Sequence, residues 1–352
     1  MLLLQLLATA AAVVATSCGK SQLKSVDNVV SFGDSYTDEG RLSAYFANNG
    51  SAPPPATNTA GSNFTASGGY AWGHFATQLL GAKYYDYAVS GAFCSNEIFS
   101  RYLAGINRSF PSVLEDEIPS FLEDVAYVDP AAGTNTFYPN RQSDNTVYAL
   151  WIGTNDLGTN AFLTDSQKSG LTITNFVECI WDVFDAIYKT GGRHFVLLNE
   201  APLEYSPLYA APQNSGVGDD HYWTDKTTYN MTEYEQKMKE YTTSVNTMFD
   251  YGVPVQVKIK SRWPDASVAI FNVHQLILDI RSEPEKYLDA PANVTGFYNH
   301  CALDGSNCIT SENPLSSFLW YDELHPSERT DEIIGKEFAK LVSGNSSYAT
   351  YW

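Results

Sequence analysis

The sequence predicts an α/β fold in which helices cover both faces of a central parallel sheet of about five strands. Two observations carry this prediction: five short apolar runs are bounded by turn-forming residues, and helical patterns separate them. Continuous apolar runs are typical of strands buried on both faces, and their alternation with helices is typical of a parallel sheet. The predicted strands are residues 28–32, 84–89, 146–152, 194–198 and 267–273.

Helices and loops complete this pattern. The segments 47–69 and 205–228 are rich in Pro, Gly, Ser, Asn and Thr, so we expect two long loops that frame a cleft. In a doubly wound sheet, ligands bind beyond the carboxyl ends of the strands. No repeat or linker divides the chain, and we expect residues 18–352 to form a single domain. The predicted helices are residues 40–48, 70–80, 175–190 and 231–251.

The first residues have the composition of a secretory signal peptide. An apolar run rich in Leu and Ala extends from Met1 to about Val14 and is followed by small residues, so residues 1–17 are expected to be a signal peptide. No Lys or Arg precedes the run, and a bacterial lipoprotein signal ending at Cys18 stays open as an alternative. The run is too short to span a membrane, and nothing later reaches spanning length. We therefore expect a secreted, extracellular protein.

Cysteines and glycosylation sequons agree with secretion. Four cysteines follow Cys18, and Cys301 and Cys308 bracket a short turn-forming loop, which predicts a disulfide in an oxidising compartment. Two free thiols at these positions, and a bridge between Cys94 and Cys179, are left open. Extensive glycosylation would favour a monomer. The six candidate sequons begin at Asn49, Asn63, Asn107, Asn230, Asn293 and Asn345.

The charge of the chain argues against two classes of partner. At a net charge of −19, nucleic acid and anionic membrane surfaces would both be repelled, and no run of Lys and Arg offers a local exception. An acidic surface is compatible with a neutral substrate such as a polysaccharide ester. We therefore expect a small ester or saccharide as the ligand.

A candidate nucleophile follows the first predicted strand. Ser35 lies in Gly33-Asp34-Ser35, where the strand ends and a helical pattern begins. A serine at such a turn is exposed, and the N–H groups of a helix N-terminus favour developing negative charge. Asp34 can hold the turn by local hydrogen bonds. A plain helix cap is the alternative interpretation of this serine.

One histidine has the context of a catalytic base, which a serine hydroxyl needs near neutral pH. Only His325 lies three residues after an acid, Asp322. In a helical turn these positions share a face, so Asp322 could orient one ring nitrogen and leave the other for Ser35. Pro326 restricts His325 to an extended backbone, and Ser327 is expected to cap the final helix. The other histidines, which we expect to be structural, are His74, His194, His221, His274 and His300.

Two further strand ends offer donors for an oxyanion. Gly91 follows the second predicted strand and can present a bare N–H because it lacks a side chain. Asn155 follows the third strand in Gly153-x-Asn155-Asp156, and its amide can donate. Together with the Ser35 N–H, these groups would make an oxyanion hole of three donors.

These motifs together resemble the four blocks of the GDSL/SGNH hydrolase superfamily. The resemblance implies a three-layer α/β/α sandwich, without metal or cofactor, that hydrolyses esters. It also implies that Ser35 is nucleophile and oxyanion donor, and that His325 is the base oriented by Asp322. Gly91 and Asn155 would complete the oxyanion hole. The matching residues, in the order of the family's blocks, are Gly33-Asp34-Ser35, Gly91, Gly153-x-Asn155-Asp156 and Asp322-x-x-His325.

One departure points to a subgroup. Tyr36 replaces the usual Leu after the serine, and we expect it to pack rather than react. The stretches FGDSYTDEGR, YAVSGAFCSNEI and WYDELHPSERTDEIIGKEFA are similar to fungal secreted acetylesterases of carbohydrate esterase family sixteen. That resemblance implies an acetylated plant cell-wall oligosaccharide as substrate. Two alternatives stay open: a lipase or phospholipase for longer acyl chains, and a carbohydrate-binding secreted glycoprotein without catalysis.

Overall fold

A six-stranded sheet forms the centre of the computed structural model, which describes Leu23 and residues 25–352. The predicted signal peptide, residues 1–17, and Cys18 lie outside the described residues. The sheet order is β6-β5-β4-β3-β1-β2, and all neighbours are parallel except β6, which is antiparallel to β5. The strands are β1 (Asn28–Gly33), β2 (Lys83–Asp86), β3 (Thr146–Trp151), β4 (His194–Leu198), β5 (Ser267–Phe271) and β6 (Ala349–Tyr351).

The predicted α/β class and parallel sheet are confirmed, with one strand more than the five expected. The extra strand, β6, is a three-residue edge strand without an apolar run, so no sequence pattern marks it. The second strand ends at Asp86, earlier than predicted, where the carboxylate accepts the Ala88 N–H at 3.1 Å. β5 also ends early, because Asn272 caps the next helix by accepting from the Gln275 N–H.

Seven α-helices of more than one turn accompany the sheet within the described part of the chain. The four predicted helices correspond to α1, α2, α4 and α5, and Ser327 caps α7 as expected by accepting the Thr330 N–H. None of the described helices has both the length and the apolar sequence needed to cross a membrane. The helices are α1 (Arg41–Ala47), α2 (Trp72–Leu80), α3 (Ile118–Ala126), α4 (Ile173–Lys189), α5 (Met231–Pro254), α6 (Val273–Ser282) and α7 (Glu328–Val342).

The helices form two layers because the chain reverses its direction across the sheet. It runs from β1 through α2 to β2, and then returns past β1 to β3, β4 and β5. Right-handed crossovers therefore place α2 on one face and α3, α4 and α5 on the other. α7 packs against α2 and completes the first layer. The reversal lies between β1 and β3, and a crevice for ligands forms there at the carboxyl ends of the strands.

Short sheets, one-turn helices and two disulfides hold the connecting segments. The predicted bridge between Cys301 and Cys308 is present, and a second bridge joins Cys94, after β2, to Cys179 in α4. One-turn helices occur at Thr154–Leu157 and Pro284–Tyr287. The short strand pairs are Tyr102–Leu103 with Arg108–Ser109, Asn293–Phe297 with Phe318–Trp320, and Asn299–His300 with Ile309–Thr310.

Candidate active site

The three residues predicted for acyl transfer meet at the carboxyl end of the sheet. Ser35 follows β1, whereas Asp322 and His325 precede α7. The Ser35 Oγ lies 2.8 Å from Nε2 of His325, although the two residues are 290 positions apart. On the other side of the imidazole, Nδ1 lies 2.9 Å from each carboxylate oxygen of Asp322. The fold therefore forms a continuous hydrogen-bonded chain from hydroxyl to carboxylate.

A tight turn places Ser35 at the end of β1. Gly33 has a φ of +146°, and a Cβ at this position would lie 2.0 Å from the carbonyl oxygen of Trp151 in β3. Only glycine fits such a close approach of two backbones. The carboxylate of Asp34 then accepts the Tyr36 N–H at 3.0 Å, which is the local hydrogen bond expected for this residue.

The turn that carries Asp322 and His325 is irregular, and the helical turn expected from their spacing is absent. The Asp322 Oδ1 accepts the backbone N–H groups of Leu324 and His325 at 2.9 and 2.8 Å. The carboxylate thus takes up donors that helical bonds would otherwise use, and Pro326 supplies no N–H to continue a helix. The acid and the base nevertheless meet as predicted, because the side chain folds back over its own turn.

Asp322 and His325 support opposite charges in a buried setting. Their exposed fractions are only 4% and 5%. Burial alone would lower the pKa of His325, but the charge and hydrogen bond of Asp322 outweigh it and raise this pKa above its usual value. Burial likewise opposes ionisation of Asp322, but His325 and two backbone N–H donors hold the pKa of this carboxyl below its usual range. An ionised acid thus faces an imidazole that readily accepts a proton.

Tyr36 packs between the two turns, as its position predicts. Its ring is buried and lies edge-on to Trp151 at 5.0 Å and to His325 at 5.7 Å between ring centroids. Its hydroxyl donates to the carbonyl oxygen of Leu324 at 2.8 Å. The tyrosine that replaces the family's Leu therefore supports the histidine turn.

The predicted oxyanion donors border the same cleft as the serine. Ser35, Gly91 and Asn155 all line it. In the part of the chain that the structure describes, the backbone N–H groups of Ser35 and Gly91 donate to no protein acceptor. Gly91 has a φ of +84°, and a Cβ there would lie 2.5 Å from the ring of Phe110. Two backbone donors without a protein acceptor thus belong to residues that line the cleft.

Asn155 and Asp156 connect the loops after β2 and β3. The Asn155 Nδ2 donates to the carbonyl oxygen of Ala92 at 3.0 Å and lies 3.4 Å from Asp34 Oδ2. Both carboxylate oxygens of Asp156 accept the Cys94 N–H, at 3.0 and 3.2 Å. These bonds hold the loop of Gly91 against the loop that presents the Asn155 amide.

Buried acids lie behind these loops. Burial raises the pKa of Asp34 to about 7 and that of Asp156 to about 8. Glu200 packs against Gly153, and neither of its buried carboxyl oxygens has a hydrogen-bond partner among the described residues. Burial, with Asp156 and Asp34 nearby, raises the pKa of Glu200 well above its usual value. Burial therefore favours the protonated form of these carboxyl groups.

The cleft above the serine has a volume of about 470 Å³. Both predicted framing loops reach it, the first with Ala66 and the second with His221 and Tyr222. His221 was expected to be structural; its ring also lines the cleft, 3.9 Å from the ring of Tyr222 between centroids. An acid three residues before a histidine indicates a catalytic base, but this spacing does not show which histidines line the cleft.

Two of the cleft residues that were not predicted form hydrogen bonds to predicted site residues. The Tyr222 hydroxyl donates to Asp322 Oδ2 at 2.8 Å. Arg101 donates from Nη2 to the carbonyl oxygen of Gly91 at 2.9 Å, and its guanidinium lies 4.3 Å from the ring centroid of Phe110. Neither residue stands in a motif: Tyr222 is one of 23 tyrosines, and its role depends on the path of a long loop.

Several known proteins are similar to this chain. The solved acetylxylan esterase Axe2 from Geobacillus stearothermophilus is 13% identical with a TM-score of 0.39, covering 91% of this chain and 96% of that one. An acetylesterase from Thermothelomyces thermophilus is 27% identical over 97% of this chain and 96% of its own length. An acetylesterase from Hypocrea jecorina is 48% identical over 92% of this chain and 91% of its own length. The family model of the GDSL-like lipases/acylhydrolases matches residues 29–338. This match and the 48% identical relative show that the chain belongs to the GDSL-like lipase/acylhydrolase family and is a serine carboxylic ester hydrolase.

Proposed function

We propose that this hydrolase removes acetyl groups from plant cell-wall saccharides, outside the cell, through an acyl intermediate on Ser35. The observation that carries the proposal is the hydrogen-bonded chain from Ser35 through His325 to Asp322, beside the free N–H of Gly91. The acetyl group is supported by the two fungal relatives, which are both named acetylesterases.

Acylation of the serine follows from this geometry. His325 Nε2 takes the proton of the Ser35 hydroxyl while Oγ forms a bond to the ester carbonyl carbon. The carbonyl π electrons move to oxygen, and the proposed donors to it are the N–H groups of Ser35 and Gly91. The Asn155 amide adds a third donor, because its 3.4 Å contact with Asp34 is long enough for an incoming oxyanion to replace it.

Acylation ends when the sugar alcohol leaves, and deacylation then repeats the two steps with water. The tetrahedral intermediate collapses, the bond to the sugar oxygen breaks, and the leaving alcohol takes the proton from His325. Water then gives a proton to the same nitrogen as it attacks the acetyl-serine. The second intermediate collapses, Ser35 regains its proton from His325, and acetic acid leaves and ionises in water. Asp322 keeps Nδ1 protonated and stabilises the imidazolium in both halves of the reaction.

The cleft and the surface support a neutral saccharide as the substrate. A volume of about 470 Å³, bordered by the aromatic rings of Phe110 and Tyr222 and by polar groups, is sufficient for sugar rings. The net charge of −19 favours an uncharged ligand over an anionic one.

Extracellular location is supported by the disulfides and by the exposure of most sequon asparagines, since glycosylation occurs at the surface. Both disulfides suit an oxidising compartment. Asn293 is only half-buried, and its Oδ1 accepts the N–H groups of Thr295 and Gly296. The other five sequon asparagines are exposed: Asn49, Asn63, Asn107, Asn230 and Asn345.

The test begins with Ser35→Ala. This variant should lose hydrolysis of p-nitrophenyl acetate and keep the melting temperature, whereas Ser282→Ala, at an exposed position, should keep both. Retained activity in Ser35→Ala would overturn the assignment. The substrate is tested by acetate release from acetylated xylo-oligosaccharides against a triglyceride and a feruloyl ester. A series of p-nitrophenyl esters with its maximum at eight carbons or more would reject acetyl specificity in favour of a lipase.

A further inference from the structure

A third side chain contacts the junction between Asp322 and His325. The hydroxyl of Tyr222 donates to Asp322 Oδ2 at 2.8 Å and lies 3.3 Å from Nδ1 of His325. The ring of Tyr222 is also edge-on to the imidazole, at 5.5 Å between centroids. The tyrosine therefore contacts the acid and the base at the same time.

Tyr222 supplies a hydrogen-bond donor to the second oxygen of the Asp322 carboxylate. Oδ1 accepts two backbone N–H groups, from Leu324 and His325. Apart from the imidazole, the Tyr222 hydroxyl is the only donor to Oδ2 within the described part of the chain. A buried carboxylate oxygen that lacks a donor carries a desolvation cost, so this bond both stabilises the charge and fixes the plane of the carboxylate.

The Tyr222 hydroxyl acts as a donor at every pH of interest. Burial and the charge of Asp322 raise the pKa of Tyr222 well above its usual value, so the phenol remains protonated. Its proton points to Oδ2, and its oxygen stays available to the Nδ1 proton of His325.

The turn that carries Tyr222 is anchored independently of Asp322. The Asp220 carboxylate accepts the backbone N–H groups of Tyr222 and Trp223 at 2.6 and 3.0 Å. Trp223 is buried, and its ring packs against Tyr229 and Tyr234 with centroids 5.0 and 5.8 Å away. A surface side chain that merely finds a partner would lack this support, so the backbone presents the hydroxyl to Asp322.

We propose that Tyr222 is a positioning residue for ester hydrolysis, which holds the Asp322 carboxylate in plane with the imidazole and shares its negative charge. The inference rests on the proposed roles of Ser35, His325 and Asp322. It makes the second framing loop part of the proton-transfer apparatus, because the same tyrosine lines the cleft and contacts the acid.

The other titratable groups around the imidazole stay in place when the hydroxyl is removed. Asp34 faces His325 from the β1 turn, and Glu323 lies beside it in its own turn. On the side of Tyr222, the facing groups are Asp220, Glu323 and the ring of His221. A change in the titration of His325 after loss of this hydroxyl is therefore assigned to the bond with Asp322.

The kinetic test compares Tyr222→Phe with Tyr188→Phe, whose hydroxyl donates to the Pro264 carbonyl at 3.0 Å outside the cleft. Tyr222→Phe keeps the ring against His325, so the variant should stay folded, although the loss of the buried bond to Asp322 should lower its melting temperature below that of the control. We expect kcat/KM on p-nitrophenyl acetate to fall roughly tenfold on the pH plateau. The acidic limb should move up by about half a pH unit, because the full charge of the carboxylate then acts on the imidazole. A rate and pH profile equal to those of Tyr188→Phe would overturn the proposal.

A second measurement does not depend on activity. The His325 ring is titrated by NMR in Ser35→Ala and in Ser35→Ala/Tyr222→Phe. A higher pKa of His325 in the double variant supports the proposal, and an unchanged or lower pKa overturns it. Esterase activity that persists in Ser35→Ala would instead overturn the proposed nucleophile, while the NMR comparison would still report on Tyr222. The two failures are therefore distinguishable.

Discussion

The hydroxyl of Tyr36 donates to the carbonyl oxygen of Leu324 and thereby ties the turn of Ser35 to the turn of His325. A leucine, the residue usual in the family at this position, could fill the space but could not make the bond. The ring of Tyr36 also packs edge-on to His325, so this side chain contributes to the spacing of nucleophile and base.

Removal of the Tyr36 hydroxyl should therefore weaken both stability and catalysis. Tyr36→Phe leaves the Leu324 carbonyl without its buried donor, which should lower the free energy of unfolding by about 1–3 kcal/mol. Urea denaturation measures this loss, and kcat on p-nitrophenyl acetate should fall with it. Tyr351→Phe, which removes a hydroxyl bond to Leu341 away from the cleft, serves as the control. A variant as active as the wild type would show that the two turns hold their distance without this bond.

Loss of the Asn155 amide should affect the rate and spare substrate binding. Asn155→Ala removes the donor that is proposed to meet the oxyanion only in the transition state, so kcat should fall roughly 10²–10³-fold with little change in KM. Steady-state kinetics on p-nitrophenyl acetate checks this split. An exposed asparagine that bonds Glu235, Asn214, provides the matched Asn→Ala control. A rise in KM with unchanged kcat would place the amide in ground-state binding instead.

Gly91→Ala should inactivate the enzyme because the added Cβ displaces the loop that carries the Gly91 N–H. The new Cβ would lie 2.5 Å from the Phe110 ring at a φ of +84°, so the loop must shift and carry the Gly91 N–H away from the oxyanion. Gly81 offers a matched control, because its φ is also positive, +64°, but no atom lies within 4 Å of its Cβ position. Gly81→Ala should cost about 1 kcal/mol in unfolding free energy and leave kcat unchanged. Equal activity of the two variants would exclude Gly91 from the oxyanion hole.

The nucleophile and the proposed oxyanion donors could be predicted because each of them follows the end of a predicted strand. Ser35, Gly91 and Asn155 each follow a parallel strand, and the carboxyl ends of neighbouring strands meet at one edge of a sheet. His325 was recognisable from a single local feature, the acid three residues before it. The helical turn predicted for that pair was wrong, since the Asp322 carboxylate takes the backbone donors itself.

Contacts that depend on the path of a long loop could not be predicted. Tyr222 reaches Asp322 across 100 positions, and no spacing rule relates a loop residue to a distant turn. The bridge between Cys94 and Cys179 was left open for the same reason, because its partners lie in a loop and a helix 85 residues apart. The local sequence pattern identifies residues that follow strands. The contacts of loop residues such as Tyr222 depend on tertiary packing, which no local pattern encodes.

The buried carboxyl groups predict that the protein is more stable in acid than in mild base. Burial raises the pKa of Asp156, Asp86 and Glu39 to about 8 and that of Asp34 to about 7, from ordinary values of 3.8 for Asp and 4.5 for Glu. Below about pH 4 these groups are protonated in both folded and unfolded chains. Between about pH 4 and 8 the unfolded chain releases protons that the folded protein retains, so the free energy of unfolding falls as pH rises.

Melting temperatures measured between pH 5 and pH 8 should therefore decrease steadily with pH. Asp86→Asn, which removes one titrating group but keeps a polar side chain beside Ser31 and Glu39, should flatten the slope, whereas Asp265→Asn at an exposed position should leave it unchanged. A melting temperature that rises from pH 5 to pH 8 would contradict the prediction, because it would mean that these carboxyls are ionised in the folded protein.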